Sequence, residues 1–229
     1  MRKTLFMNPP ANDTPKNTGQ STGQNSGQNS GANRADFSLS DLMKAIKDSE
    51  TGTRPVESWN PSFCGDIDIV ITSSGEWRHE GTPIGREGLI NLFASVLRKD
   101  ADGETYLVTP VEKLRITVER APFRAVRVDV SGSGEDMRLF FTTDFGGTVE
   151  ASAEHPLRVD TDPVTLEPSP FILVRGRLEA ALTRSVFYEL VEHAAETQTP
   201  RGPQLGIYSG GAFFPLGPPG AHTDDGADI

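Results

Sequence analysis

Cysteine is almost missing from this chain: Cys64 is the only one in 229 residues. No disulfide can therefore close within it, and no cysteine-based zinc cluster can form. Long apolar runs are missing as well. Nothing approaches the roughly 20 consecutive apolar residues of a membrane span. The opening MRKTLFMNPPAND, in spite of Arg2 and Lys3, offers only Leu5, Phe6 and Met7 where a signal peptide needs a full apolar region. The cytoplasm is the expected location. Positive charge is short too, with 22 Lys and Arg against 32 Asp and Glu. Residues 1–35 carry +3 and the last nine −3, so the middle holds the whole net charge of −10. That balance repels a polyphosphate backbone and excludes a nucleic-acid polymer as the expected partner, while a single nucleotide needs only one local set of donors.

Catalytic fingerprints are also lacking. GTPIGR at residues 81–86 is neither G-x-G-x-x-G nor a Walker sequence, and there is no nucleophile elbow or H-E-x-x-H. No cofactor is expected. Asp66 and Asp68 share one strand face at a spacing a divalent cation would use, but no third carboxylate lies nearby and no metal is expected.

What is present falls into five segments. Residues 1–35 form a low-complexity arm whose tetrads TGQS, TGQN, SGQN and SGAN contain no apolar residue to offset ordering entropy. Residues 36–54 hold a short helix, capped by Ser38 or Ser40, and a linker. Residues 55–132 and 133–217 form two α+β domains, and 218–229 a disordered acidic tail.

The first domain is organised around GTPIGREGLINLFASVLR, where Leu89, Leu92, Phe93, Val96 and Leu97 make one helical stripe with Gly85 as its cap. Arg86 is a cation in a first turn that favours anions. Strands with a two-residue period flank the helix: Ile67, Ile69 and Ile71 before it, then Thr105–Thr109, Lys113–Arg120, and Phe123–Val130 with Val126, Val128 and Val130 on one face. SGSGED at residues 131–136 is a hairpin turn, and residues 151–168 are a polar surface segment. A second strand, glycine-arginine turn and helix follow, with Phe171–Val174 extended and Leu178 to Ala195 helical, kinked near Ser185. Residues 205–217 close the folded part as a hairpin about Gly210 and Gly211. The recurrence of strand, turn, helix and strand suggests duplication. The fold class expected is α+β, mostly antiparallel, with duplicated strand-helix-strand units that face each other across a polar, aromatic-edged crevice.

The strings ESWNPSFCGDIDI, EGTPIGREGLINLF, YLVTPVEKLRI, AEHPLRV, FYELVE and YSGGAFFPLG, spread over residues 55–217, together resemble the bacterial family known as domain of unknown function 1285. The resemblance implies a duplicated, largely antiparallel α+β fold whose C-terminal half is similar to pleckstrin-homology-like barrels. It also implies a small-ligand site at the interdomain face for a nucleotide-like molecule, and a signalling role rather than a known reaction.

The leading expectation is a non-enzymatic, cytoplasmic, small-ligand-binding regulatory protein. Its site lies between the halves and comprises Trp59, Asn60, Asp66, Arg86, Thr109, Glu112, Lys113, Arg175, Tyr208 and Ser209. Aromatic surface beside mixed-charge donors suits a flat anionic metabolite. One alternative is a protein-protein interaction module that needs no small ligand. The other is a hydrolase or transferase with Cys64 as nucleophile and His79 or His155 as base. Eight of the ten residues also have a plain structural role open to them: Trp59 as a core plug, Asp66 on a solvated strand face, Arg86 in a surface ion pair, Thr109, Glu112 and Lys113 in a capped turn, and Tyr208 and Ser209 beside a hairpin turn.

Overall fold

Alternating isoleucines produce the first central strand. Ile67, Ile69 and Ile71 are buried while Asp66 and Asp68 point out, as the pleat requires. The computed structural model describes residues 39–48, 54–200 and 202–217, all within one compact unit. The expected arm, the Ser38 cap and the acidic tail lie outside the described residues.

The first sheet contains β1 (Phe63–Ile71), β2 (Trp77–His79), β3 (Thr82–Pro83), β4 (Leu97–Lys99), β5 (Thr105–Val108) and β6 (Lys113–Val118), in the order β3-β2-β1-β6-β5-β4. The second contains β7 (Phe123–Ser131), β8 (Arg138–Thr143), β9 (Thr148–Glu150), β10 (Leu157–Thr161), β11 (Pro168–Arg175) and β12 (Leu178–Leu182), in the order β10-β11-β12-β7-β8-β9. The two orders are the same. The first strand is central, two run outward from it, and the next three return inward to pair with the first. That returning pair, β1 with β6 and β12 with β7, is the parallel one in each sheet, and the other pairs are antiparallel. A third sheet, β13 (Ala195–Thr199), β14 (Gly202–Ser209) and β15 (Ala212–Gly217), is fully antiparallel. Three helices complete the described fold: α1 (Leu39–Asp48), α2 (Glu87–Ala94) and α3 (Arg184–Glu192).

The chain is therefore α+β with two similar halves, but what repeats is the six-strand order and not a strand-helix-strand unit. α2 interrupts the first sheet between β3 and β4, whereas α3 follows the second sheet. Leu178–Leu182, expected as the start of a helix, is β12. Its LEAAL sequence suits a helix, yet the Gly176 turn folds it back on β11, and pairing with β11 and β7 outweighs the weak intrinsic preference. α2 also ends sooner than its stripe. Val96 lies in the connecting turn, Leu97 opens β4, and the N-cap is Arg86 rather than Gly85. In β7 a register shift between Ala125 and Arg127 moves the buried face, so Phe123, Ala125 and Val128 are inside and Val126 is exposed.

One hydrophobic cluster runs through both halves. It joins Leu42 and Ile46 of α1, Ile69, Trp77, Phe93 and Leu114 of the first half, Phe123, Phe141 and Ile172 of the second, and Ile207 and Phe214 of the third sheet. The two halves thus share one apolar interior where two separate cores were expected, because burying both sets of inward-facing side chains in one cluster removes more apolar surface from water. The expected boundary after residue 132 falls between β7 and β8, neighbours in one sheet, while the sheets themselves divide between β6 and β7.

Candidate functional site

The ten residues singled out from sequence fall into separate places. Trp59 packs against the core from the strap before β1, and its carbonyl accepts from Arg98 Nη1 at 2.6 Å. Asn60 is exposed beside it. Arg98, 7 % exposed, is the hub there: it also donates to Val56 O and pairs with Asp100 at 2.6 Å, and Asp100 pairs in turn with Lys113. Lys113 Nζ stands 4.1 Å above the Tyr106 ring, whose hydroxyl donates to Asp102 at 2.7 Å. Asp66 forms a fork with Arg115, which places Arg115 over the Phe63 ring. Thr109, fully buried, caps its own turn by accepting the N–H groups of Val111 and Glu112. Glu112 leaves one carboxylate oxygen buried without a partner among the described residues.

Electrostatics in this cluster follow from the pairing. Burial pushes the Asp100 carboxyl up, but the hydrogen bonds and charges of Arg98 and Lys113 together outweigh it and hold its pKa below the usual value. Burial first, then the hydrogen bond to Asp102, pushes the Tyr106 hydroxyl up to about 12. Trp59 and Lys113 are joined through Arg98 and Asp100, and Thr109 and Glu112 share the turn that enters β6. The cations of this cluster are already neutralised by carboxylates.

Arg175 is elsewhere. Its Nη2 donates to Ala94 O at 2.5 Å, satisfying a carbonyl at the C-terminus of α2 from the opposite half of the chain. Burial pulls its pKa down, against the opposing charge of Glu57. Arg86 is exposed at the N-cap of α2. Tyr208 lies on the outer face of the third sheet, 5.1 Å from the Phe213 ring. Ser209 is on the inner face, where its hydroxyl donates to Ala151 O at 2.7 Å and accepts Leu139 N–H at 2.9 Å, a clip between the third and second sheets.

Cys64 is half-buried on β1 and donates to Ser62 O at 3.2 Å. His79 is registered opposite Ile69, five positions along that strand, and His155 Nδ1 lies 3.1 Å from Leu173 O in the second half. Among the described residues no hydrogen bond links either histidine to the thiol.

A groove of about 500 Å³ opens where the halves meet, and none of the ten residues lines it. Its floor and walls come from the Ser73–Ser74 turn of the first half, Pro168 to Pro170 on β11, the end of β12, and Phe187 and Tyr188 of α3. Three arginines from different elements border it: Arg120 between the sheets, Arg124 on β7 and Arg184 at the start of α3. Arg124 is held by Asp144 at 3.1 Å and lies against Gly75, where φ is +84° and an added Cβ would stand 2.5 Å from its Nε. Arg184 reaches Glu167 only at 4.0 Å, with both side chains exposed, a contact worth little in water. Arg120 rests 5.5 Å above the Phe171 ring and forms no ion pair among the described residues. The other cation on that ring, Arg158 at 4.4 Å, is bound to Glu179 and Asp160. α3 begins without an acid in its first turn and without a side-chain cap, so its positive end adds to the arginines. Tyr188 is 65 % exposed, leaving a ring face available. Sequence reasoning missed this groove because Ser73, Arg120 and Arg184 belong to three distant segments without a shared motif. The isolated arginines beside Ala121 and at residue 184 were the only signal.

Two family models match the chain: an N-terminal domain of unknown function (DUF1285) over residues 54–121 and the C-terminal domain of the same family over residues 122–216. No curated protein matches it. Among solved structures it is similar to a DUF1285 family protein from Silicibacter pomeroyi DSS-3, at 41% identity and TM-score 0.71, covering 77% of this chain and 94% of that one. A DUF1285 family protein from Shewanella baltica OS155 also matches, at 26% identity and TM-score 0.42, over 55% of this chain and 91% of that one. No helix among the described residues is long and apolar enough to cross a membrane.

Proposed function

The chain belongs to the DUF1285 family, and we propose that it is a non-enzymatic, cytoplasmic regulatory protein that binds a small, flat, anionic molecule in the groove beside α3. The observation that carries this reading is Arg120, a cation at the seam of the halves that forms no ion pair among the described residues. Arg184, the uncapped start of α3 and the hydroxyls of Ser73 and Ser74 are close by. Phe187 and Tyr188 supply the aromatic surface for a ring, and guanidinium groups suit carboxylate or phosphate. A nucleotide-like molecule, the class the family resemblance implies, has both parts. The view of the second half as pleckstrin-homology-like belongs with this reading, supported by its strand-rich build and the single helix that follows its sheet.

Thermal-shift measurements with nucleotides, sugar phosphates and acyl phosphates test it. Ligand at about a hundred times its Kd stabilises by about 2.7 kcal/mol, a shift of several degrees for a chain of this size. Arg120→Glu should abolish the shift while leaving the unliganded Tm in place. No shift with any of these compounds at millimolar concentration refutes the proposal.

A second reading, a protein-interaction module, draws on the tip of the β10–β11 hairpin. There Val164 and Leu166 are 87 % and 71 % exposed, and Leu166 is held at φ +59° by a loop pinned through Asp162. Loss of partner binding on Leu166→Asp, with small ligands without effect, would favour it.

A further inference from the structure

Among the described residues, the outer edges of the three sheets are not equivalent. The first sheet ends in β3 and β4, two and three residues long, too short to template another strand. The second ends in β9, three residues long, and in β10, which carries Arg158 and Asp160 and packs beside β15. β13 differs from all of these. It runs five residues, AETQT, in unbroken antiparallel register with β14, and it has no proline, lysine, arginine or bulge to discourage a further strand.

The described residues that line the face beside that edge carry no charge. A groove of about 390 Å³ runs along it, lined by Thr197, Gln198, Gln204, Tyr208 and Phe213 among others, none of them ionisable in the neutral range. Phe213 closes its floor by lying over Gly206, where a Cβ would come within 2.7 Å of its Cε2.

We propose that β13 is a self-association edge, with two copies of this chain pairing their β13 strands antiparallel about a two-fold axis at Thr197. Strand overlap and charge together select the register: Thr197 is the middle residue of β13, so an axis there pairs all five residues of each copy. With the axis at Thr197 the only charge of the strand, Glu196, faces Gln198 of the second copy, and the two threonines face each other, a favourable cross-strand pair. With the axis at Glu196, two carboxylates would be directly opposed, which destabilises the pair. Such a two-fold contact closes on itself and joins two three-stranded sheets into one.

Light scattering of the full chain across a concentration series should give twice the chain mass, falling to one chain mass on dilution. Thr197→Lys opposes two cations at the axis and should weaken dimerisation several-fold. Mixing Thr197→Lys chains with Thr197→Glu chains should restore it, which separates a broken register from a misfolded variant. In a Cys64→Ser background, Thr197→Cys places two thiols opposite each other at about 4.5–5.5 Å between Cα atoms, within disulfide range, so mild oxidation should cross-link the dimer. A chain that stays monomeric up to millimolar concentration overturns the proposal. So does a dimer that Thr197→Lys leaves intact or that Thr197→Cys fails to cross-link.

Discussion

Removing the guanidinium of Arg175 tests how the two halves are tied together. Arg175 ends β11 in the second half, and its Nη2 donates to Ala94 O, 81 residues away in sequence, at the C-terminus of α2. Three effects compete in Arg175→Met. The lost charge-assisted bond and the orphaned carbonyl at the end of α2 cost about 1.5–3 kcal/mol. Glu57, whose charge favours the guanidinium, loses that neighbour. Against these, methionine avoids desolvating a cation, the effect that depresses the Arg175 pKa and that makes apolar replacement of buried charges nearly neutral in some proteins. Half-burial gives back only part of that desolvation, so a net loss of about 1–2 kcal/mol is expected for Arg175→Met. Both variants lose the guanidinium 5.9 Å from the Phe123 ring, and Arg175→Ala also removes the half-buried apolar stem, so it should cost about 2–4 kcal/mol. Urea denaturation measures both, with the m-value as the check on two-state behaviour. Arg175→Met within about 0.5 kcal/mol of the parent chain would refute the idea that this bond ties α2 to the second half.

Three further outcomes follow from single contacts. Ser209→Ala leaves the buried Leu139 N–H and Ala151 O without their shared hydroxyl and should cost about 1–3 kcal/mol, read as a fall in Tm. Because the pKa of Asp100 is depressed on folding, its contribution is present above the unfolded value of about 3.9 and is lost as pH falls through the folded value. The stability gap between the parent chain and Asp100→Asn should therefore be constant near neutrality and shrink below about pH 4. For Tyr106 the sign reverses: a raised folded pKa contributes fully below about pH 10 and is lost as pH rises toward it. The alkaline difference spectrum between the parent chain and Tyr106→Phe should show a phenolate transition near 12, and a midpoint near 10 would remove Asp102 and burial as its environment.

Much of the strand pattern could be read from residue order alone. Ile67, Ile69 and Ile71 alternate with Asp66 and Asp68, so their strand and its buried face follow from the pleat without knowing what covers it. The hairpin at Gly210 and Gly211 was legible for a similar reason, since both residues adopt the positive φ that glycine permits. So was the existence of two similar halves, though not their repeat unit. Local preference reaches only a few residues. LEAAL at 178–182 reads as helix until β7 and β11 are beside it, and Val126 reads as core until a bulge turns it outward.

Which residues meet in space was decided by tertiary structure. The ten candidates were chosen for chemical type, and the fold spends several of them on its own cohesion: Ser209 clips two sheets, Arg175 closes α2, Thr109 caps a turn, and Lys113 is neutralised by Asp100. The groove with Arg120 depends on bringing residues 73, 120 and 184 to one seam. Composition and periodicity determined the strands, the missing disulfides and the acidic balance, because those depend on each residue and its near neighbours. The shared core, which joins Leu42 to Phe214, and the groove, which joins Ser73 to Arg184, arise only when segments more than a hundred residues apart pack together, and no local signal encodes that meeting.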